Sequence, residues 1–220
     1  VAGLVNQEVQ HDEYGCPYLG GKALKGILVN ECADILAALS AAQDAKWQKV
    51  ASALFGEPGS NHKNQGRIYI GDATLPPLLR QAIQIDVDAG GRAATTDNIL
   101  QSLTTIRYQT AIDQTSGAAD KATLRSMRVI IRKTTFTAPI WIAEPIHTAP
   151  ESGTDGAAAR QTPTVEEALM LLSACLKALR RVGTYRNRGL GRLEQVQLRN
   201  GAGELISERY FQQFCEEVCR

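Results

Sequence analysis

The chain has 220 residues, 44% of them hydrophobic, and its 24 Lys and Arg nearly balance 23 Asp and Glu for a net charge of +1. That length can bury a layered core without disulfides, and the charge balance excludes a global basic field, so affinity for a nucleic acid has to come from local clusters. Aromatic residues make up only 5%, which argues against a surface that holds single strands mainly by stacking bases on an aromatic sheet.

The five cysteines, Cys16, Cys32, Cys175, Cys215 and Cys219, are odd in number and scattered, which suits a reducing cytosol better than a secreted disulfide framework. No run approaches about 18 consecutive apolar residues, and the opening VAGLVNQEVQ lacks the basic and apolar regions of a signal peptide. The expectation is one soluble domain, not exported, with no membrane partner.

In chain order, an extended run containing Pro17 leads through Gly20-Gly21 into a first helix. This helix is expected from Lys22 to Leu39, with Leu24, Ile27, Leu28, Ile35, Leu36 and Leu39 at helical spacing. Such a junction leaves the first backbone N–H groups open to an anion. Lys22 and Lys25 sit in the first turn, where a cation costs about 0.3–1 kcal/mol against the helix dipole unless an anion such as phosphate offsets it. A Walker-type loop is excluded, because Gly15 to Lys22 is one residue too long and Ala23 stands where the metal-binding hydroxyl belongs. A plain turn with surface lysines is the alternative reading.

Strands are expected at Arg67 to Gly71, Met127 to Lys133 and Ala138 to Ala143. The segment from Ile106 to Arg128 reads as a β-hairpin with its turn at Ser116-Gly117, its arms carrying Arg107, Arg125 and Arg128. It serves either function or the protection of a sheet edge by charge. A second helix is expected from Val165 to Val182, with Thr164 as N-cap, Glu167 completing a capping box, Leu169, Leu172, Leu176 and Leu179 as its apolar stripe, and Gly183 at its end. The decapeptide that follows, Gly183 to Arg192, holds three glycines and three arginines, a composition that lets backbone and guanidinium groups approach a polyanion. A strand at Gln195 to Arg199 and a short amphipathic helix carrying Phe211, Phe214, Cys215 and Val218 complete the chain.

Polar linkers fall at Glu57 to Gln65, Asp86 to Asn98 and Thr148 to Pro163, and no repeat appears at a fixed period. If a strand occupies Leu4 to Gln10, the order is the βαββαβ of a ferredoxin-like unit. Cys215 and Cys219, one helical turn apart, are half a metal site at most, and buried helix cysteines are the preferred reading. His11, His62 and His147 lie singly, and none is assigned a catalytic role.

Four of these segments, in this order, resemble motifs of the RAMP superfamily of CRISPR-associated proteins, particularly backbone subunits of type III and type III-D effector complexes. GCPYLGGKALKG (15–26) is similar to the family's G-x-P-Y-I-P-G-S-S-L-K-G, and LFG (54–56) followed by GRIYIGDA (66–73) to its FG…G-x-hydrophobic-x-hydrophobic-x-D-A. AIDQTSGAADKATLRSMRVI (111–130) resembles A-I-D-R-x-T-G-x-A, and YRNRGLGRLE (185–194) resembles the C-terminal glycine-rich loop.

The resemblance implies an α+β, ferredoxin-like (RRM-like) palm in a single domain, with a protruding β-hairpin thumb from about Thr104 to Arg132. It implies guide RNA (crRNA) and complementary target RNA as ligands, neighbouring RAMP subunits and the large effector subunit as partners, and a prokaryotic cytoplasmic setting. RNA contact would fall to Gly20, Gly21, Lys22 and Lys25. The thumb would add Arg107, Ile112, Arg125, Met127 and Arg128, and the loop Arg186, Asn187, Arg188, Gly189, Gly191 and Arg192. Ile112 and Met127 are the candidates for an apolar wedge, unless they pack beneath the hairpin.

Active ribonucleases of the family carry an aspartate shortly before G-x-P-Y, where this sequence aligns Asn6, and an amide cannot act as a carboxylate base. Glu8 and Asp12 stand near enough to substitute if the register slips. Non-catalytic guide binding is therefore expected, with no tightly bound cofactor and Mg²⁺ needed only for cleavage; a metal-dependent endoribonuclease and a structural protein that binds no RNA are the alternatives. Lys22-Ala23 replaces the family's two serines and Gly20 its proline. The family's first strand is missing or very short here, which leaves open a domain cut from a longer or fused chain.

Overall fold

A computed structural model describes residues 5–39, 41–57, 65–90, 94–112, 115–119, 123–143 and 163–219. Residues 58–64 and 144–162, which hold most of two expected linkers together with His62 and His147, lie outside the described residues, as does the side chain of Asn187. The chain forms two compact units: Val1–Gly20 with Asp72–Pro139, here the hairpin unit, and Gly21–Gly71 with Ile140–Arg220, here the helical unit.

The helical unit holds α1 (Gly21–Ala38), α2 (Ala41–Phe55), β1 (Ile68–Ile70), β4 (Ile140–Ile142), α5 (Val165–Ala178) and α6 (Ser207–Val218). α5 is its axis. Ala168 and the unbroken run from Leu171 to Leu176 are buried, so the helix is enclosed on most sides, each fully buried leucine contributing about 1.5–3 kcal/mol. Its start is set by the capping box foreseen in the sequence, with the Thr164 side chain accepting from the Glu167 N–H and Glu167 accepting from the Thr164 N–H. α1 packs on it through Ile27, Leu28, Cys32 and Leu36, which brings the buried thiols of Cys32 and Cys175 close enough to interact. The ring of Trp47 on α2 meets that of Phe214 on α6 at 4.7 Å between centroids. Lys46 joins three helices, bonding Glu167 at 2.8 Å and also Glu217. Burial pushes the Glu167 carboxyl up, but the hydrogen bonds from Lys46 and Thr164 outweigh it and hold the carboxyl below its ordinary range.

β1 and β4 form a short antiparallel ladder pairing Ile68 with Ile142, Tyr69 with Trp141 and Ile70 with Ile140. The expected strand at Gln195 to Arg199 is reduced to a bridge between Arg199 and Leu205, part of a turn that Asn200 closes through its side chain. The short C-terminal helix is present as expected, from Ser207 to Val218, and carries Phe211, Phe214, Cys215 and Val218. Cys215 is half-buried and Cys219, just past the helix end, is exposed, so the pair is not the buried one expected.

The hairpin unit contains α3 (Pro77–Asp88), α4 (Thr96–Leu103), β2 (Thr104–Gln109) and β3 (Arg125–Ile130). β2 and β3 pair antiparallel along their full length, from Thr104 with Ile130 to Gln109 with Arg125, and a bridge between Ile112 and Ala119 extends the pairing toward Gly117, whose φ is +66°. The hairpin expected between Thr104 and Arg132 is thus present. α4 runs directly into β2, and buried Thr104 ends one and starts the other, its hydroxyl donating to the Leu100 carbonyl. Among the described residues of the strand expected at Leu4 to Gln10, Gln7 forms a parallel bridge with Met127, and the Arg128 N–H donates to the Gln7 carbonyl at 2.9 Å. The class is α+β, as expected. Among the described residues the strands form two ladders of two strands each.

Candidate nucleic-acid interface

In the helical unit, α1 begins at Gly21, one residue before the expected start. A Cβ at Gly21 would overlap the carbonyl oxygen of Ile70 and the backbone of Gly71, so this glycine is required by the approach of the helix to the end of β1. Gly20 is under no such constraint; a Cβ there would meet only the Gln10 side chain at 3.5 Å. Lys22 projects exposed from the first turn. Lys25 is half-buried, its ammonium donating to the Ile68 carbonyl at 3.2 Å, and burial lowers its pKa. Of the two lysines, only Lys22 presents its charge outward.

The arginine-rich loop departs from expectation at its first residue. α5 ends at Ala178 and not at Val182, because Leu179 is extended and the chain beyond it pairs with the far side of the loop. Val182 donates to the Gly191 carbonyl at 2.9 Å, Leu193 to the Arg180 carbonyl at 2.9 Å, and Arg181 bridges Arg192. Gly183 therefore turns the loop and does not cap the helix. Gly191, at φ +67°, lies so close to Val182 that a Cβ would overlap its carbonyl oxygen.

Between these stems, Arg186–Arg188 form one 3₁₀ turn bracketed by Tyr185 at φ +61° and Gly189 at φ +84°. A left-handed non-glycine residue costs of order 1 kcal/mol and is held here by the bonds around it: Arg188 N–H to the Tyr185 carbonyl at 2.7 Å, and the Arg181 guanidinium to the Arg186 carbonyl at 2.6 Å. Arg188 also lies over the Tyr185 ring, 5.3 Å from its centroid. An open concavity of about 300 Å³ is lined by Gly183, Thr184, Tyr185, Arg186 and Arg188.

The early end of α5 brings in two cations that sequence reasoning left inside a helix. Arg180 and Arg181 are exposed and belong to the loop, with Arg186, Arg188 and Arg192. No Asp or Glu occurs between Glu167 and Glu194, and among the described residues none of these five arginines takes part in an ion pair. The signal available in the sequence was that absence of carboxylates.

The hairpin arginines are placed differently. Opposed residues share a face of a ladder, so Arg107 stands with Met127, and Arg125 with Gln109, while Tyr108 and Arg128 stand on the other face. Arg107 and Arg125 are exposed. The Arg128 side chain is only 7% exposed, donating to Glu8 at 2.7 Å and to the Thr104 hydroxyl at 3.3 Å. Met127 is 4% exposed and packs within the unit, whereas Ile112 is 68% exposed beyond the strand ends. Of the two wedge candidates only Ile112 presents a surface. Tyr108 and Leu124, both more than 60% exposed, were not foreseen.

Asn6, expected at the position of the family's aspartate, grips Ser126 of β3 with its backbone and side chain: Asn6 N–H to the Ser126 carbonyl at 2.9 Å, and Ser126 N–H to Asn6 Oδ1 at 2.8 Å. The two fallback carboxylates are engaged as well. Glu8 holds Arg128, and Asp12 accepts from Arg80 at 3.1 Å and from the N–H groups of Tyr14 and Cys16 at 3.0 Å. Burial, reinforced by Asp12, pushes the Cys16 thiol up to about 11. Among the described residues no group of three or more His, Cys, Asp or Glu side chains could hold a metal ion, and no helix is long and apolar enough to cross a membrane.

A family model of the RAMP superfamily matches residues 1–194. No curated protein matches the chain. Among solved structures, a chain of the cryo-EM structure of the Type III-B Cmr-beta bound to cognate target RNA is similar to this one with a TM-score of 0.53 at 12% identity, covering 87% of this chain and 88% of that chain. At that identity the likeness speaks for the fold.

Proposed function

We propose, since the chain belongs to the RAMP superfamily, that it grips a guide RNA and forms part of the backbone of a type III CRISPR ribonucleoprotein in the prokaryotic cytoplasm. Its partners are then the crRNA, complementary target RNA, neighbouring RAMP subunits and the large effector subunit. The observation that carries the reading is the loop from Arg180 to Arg192, which holds five arginines without a carboxylate partner among the described residues, two of them, Arg186 and Arg188, lining an open concavity. Guanidinium forks match phosphate oxygens in geometry as well as charge, so this loop suits a sugar–phosphate backbone. The solved neighbour is part of a complex bound to cognate target RNA, which supports the same ligand class.

Binding of this kind follows backbone and shape, so the guide's sequence is read by base pairing and not by the protein. Lys22, Arg107 and Arg125 supply further outward charge, and Ile112 an apolar tip on the hairpin. Asn6 takes part in holding the hairpin strand, which accords with a subunit that binds without cutting. Mg²⁺ has no part in guide binding on this reading.

Co-expression with the neighbouring subunits tests the proposal. An RNA of discrete length is expected to co-purify, and complementary labelled RNA with Mg²⁺ is expected to bind without cuts at this subunit. Cuts abolished by Glu8→Gln or Asp12→Asn would identify a nuclease, and preparations that never contain RNA would sink the binding claim itself.

A further inference from the structure

From the exposed face of the β1–β4 ladder we infer a second contact for RNA: Tyr69 and Trp141 form a stacking platform for unpaired bases. This rests on the RNA-binding reading above and deepens it. The two residues are directly opposed in the register, so their side chains share a face, with Cβ atoms about 5 Å apart. Tyr69 is 49% and Trp141 60% exposed, while Ile68, on the opposite face, is 1% exposed in the core. The chain has two tryptophans, and the other, Trp47, is 1% exposed. A composition poor in aromatics has thus placed two rings side by side in solvent, where every base could use their π faces.

The surrounding charge favours the same occupant. Arg67 immediately precedes β1, and α1 abuts the end of β1 at Gly21 with exposed Lys22 in its first turn. Gly66 to Gly71 and Ile140 to Ala143 contain no carboxylate, and Asp72 and Glu144 follow directly after them. Rings flanked by cations fit a nucleotide, which joins a flat base to an anionic phosphate. The face is three residues long on each strand, far smaller than the roughly 800 Å² per partner of a stable protein interface.

The test compares binding of an unstructured single-stranded RNA with that of an abasic ribose–phosphate chain of equal length. The wild-type protein is expected to bind the RNA about tenfold more tightly than the abasic chain, with quenching of the exposed tryptophan. Trp141→Ala and Tyr69→Ala should each erase most of that tenfold while leaving abasic affinity unchanged, and Trp141→Phe should retain it within about threefold. If both alanine variants bind RNA like wild type while Arg186→Ala with Arg188→Ala weakens both ligands, the platform falls and the RNA reading stands. If the wild type binds neither chain, both fall. Tryptophan quenching that tracks protein concentration without RNA would assign the face to a second copy and overturn the platform.

Discussion

Two regions of this protein are rich in arginine, and the fold neutralises Arg128 of the hairpin while it leaves the loop arginines without a carboxylate among the described residues. In the hairpin, Arg128 is drawn inward by Glu8 and Thr104, its side chain almost fully covered, so its charge serves the pairing of β3 with the segment at Gln7. In the loop after α5, the side chains of Arg181 and Arg188 have, among the described residues, a carbonyl and a tyrosine ring as partners. A guanidinium next to a carboxylate already has its counter-ion; one next to a carbonyl remains a full charge toward solvent and toward any polyanion. Counting arginines overstates the hairpin, and asking what neutralises each one separates the two regions.

Substitutions can break that contrast. The largest effect is expected from Met127→Ala, which should cost about 3 kcal/mol of stability in chemical denaturation with RNA affinity of the folded protein unchanged; a fall in affinity would return this residue to the interface. Arg128→Ala should cost about 1 kcal/mol by the same measurement, because it removes a covered guanidinium from between the part-exposed Glu8 and the Thr104 hydroxyl, and should leave the salt dependence of RNA binding untouched. Arg186→Ala with Arg188→Ala should do the reverse: stability within about 0.5 kcal/mol, affinity down about tenfold, and the log–log salt slope shallower by about 1.4 in single-strand titrations. Arg107→Ala or Arg125→Ala should weaken binding by about threefold, and a loss equal to that of the loop would erase the distinction between the regions.

The smallest effect concerns pH and belongs to the helical unit. The Glu167 carboxyl is depressed in the folded state, so its contribution to stability is present above its ordinary value of 4.5 and is lost as pH falls through the lower folded value. Thermal melting should be insensitive to this group near neutrality and decline below about pH 4.5, with a weaker decline in Lys46→Met.

Periodicity and capping made much of the helical unit legible: α1 and the start of α5 lie within a residue of where apolar spacing and the Thr164 box put them, and β1 and β4 fall inside the expected strands. α3 was not foreseen, and only its last three residues fall in an expected linker; it buries no residue at all, so no core-facing pattern marks it, with Leu78 82% exposed and Ile85 61%. α4 has eight residues and one buried side chain, Leu100, too little for a period to emerge. The end of α5 was misplaced because Leu179 to Val182 has good helical propensity, yet the bonds to Gly191 and Leu193 draw it out. The loop's glycines and arginines were visible as composition, whereas the burial of Met127 and Arg128 and the tie between Asn6 and Ser126 depend on contacts 120 residues apart.

That separation sets a timetable for synthesis. At 5–20 residues per second, a ribosome delivers Ser126 roughly ten seconds after Asn6. Until then the strand partner of Gln7 does not exist, and α1 and α2, encoded in between, emerge before α5 can cover them. Both units are left half-built on the nascent chain, with Trp47 and the apolar face of α1 uncovered. Such an interval invites chaperone engagement, and slowing translation between α2 and β3 would lengthen it.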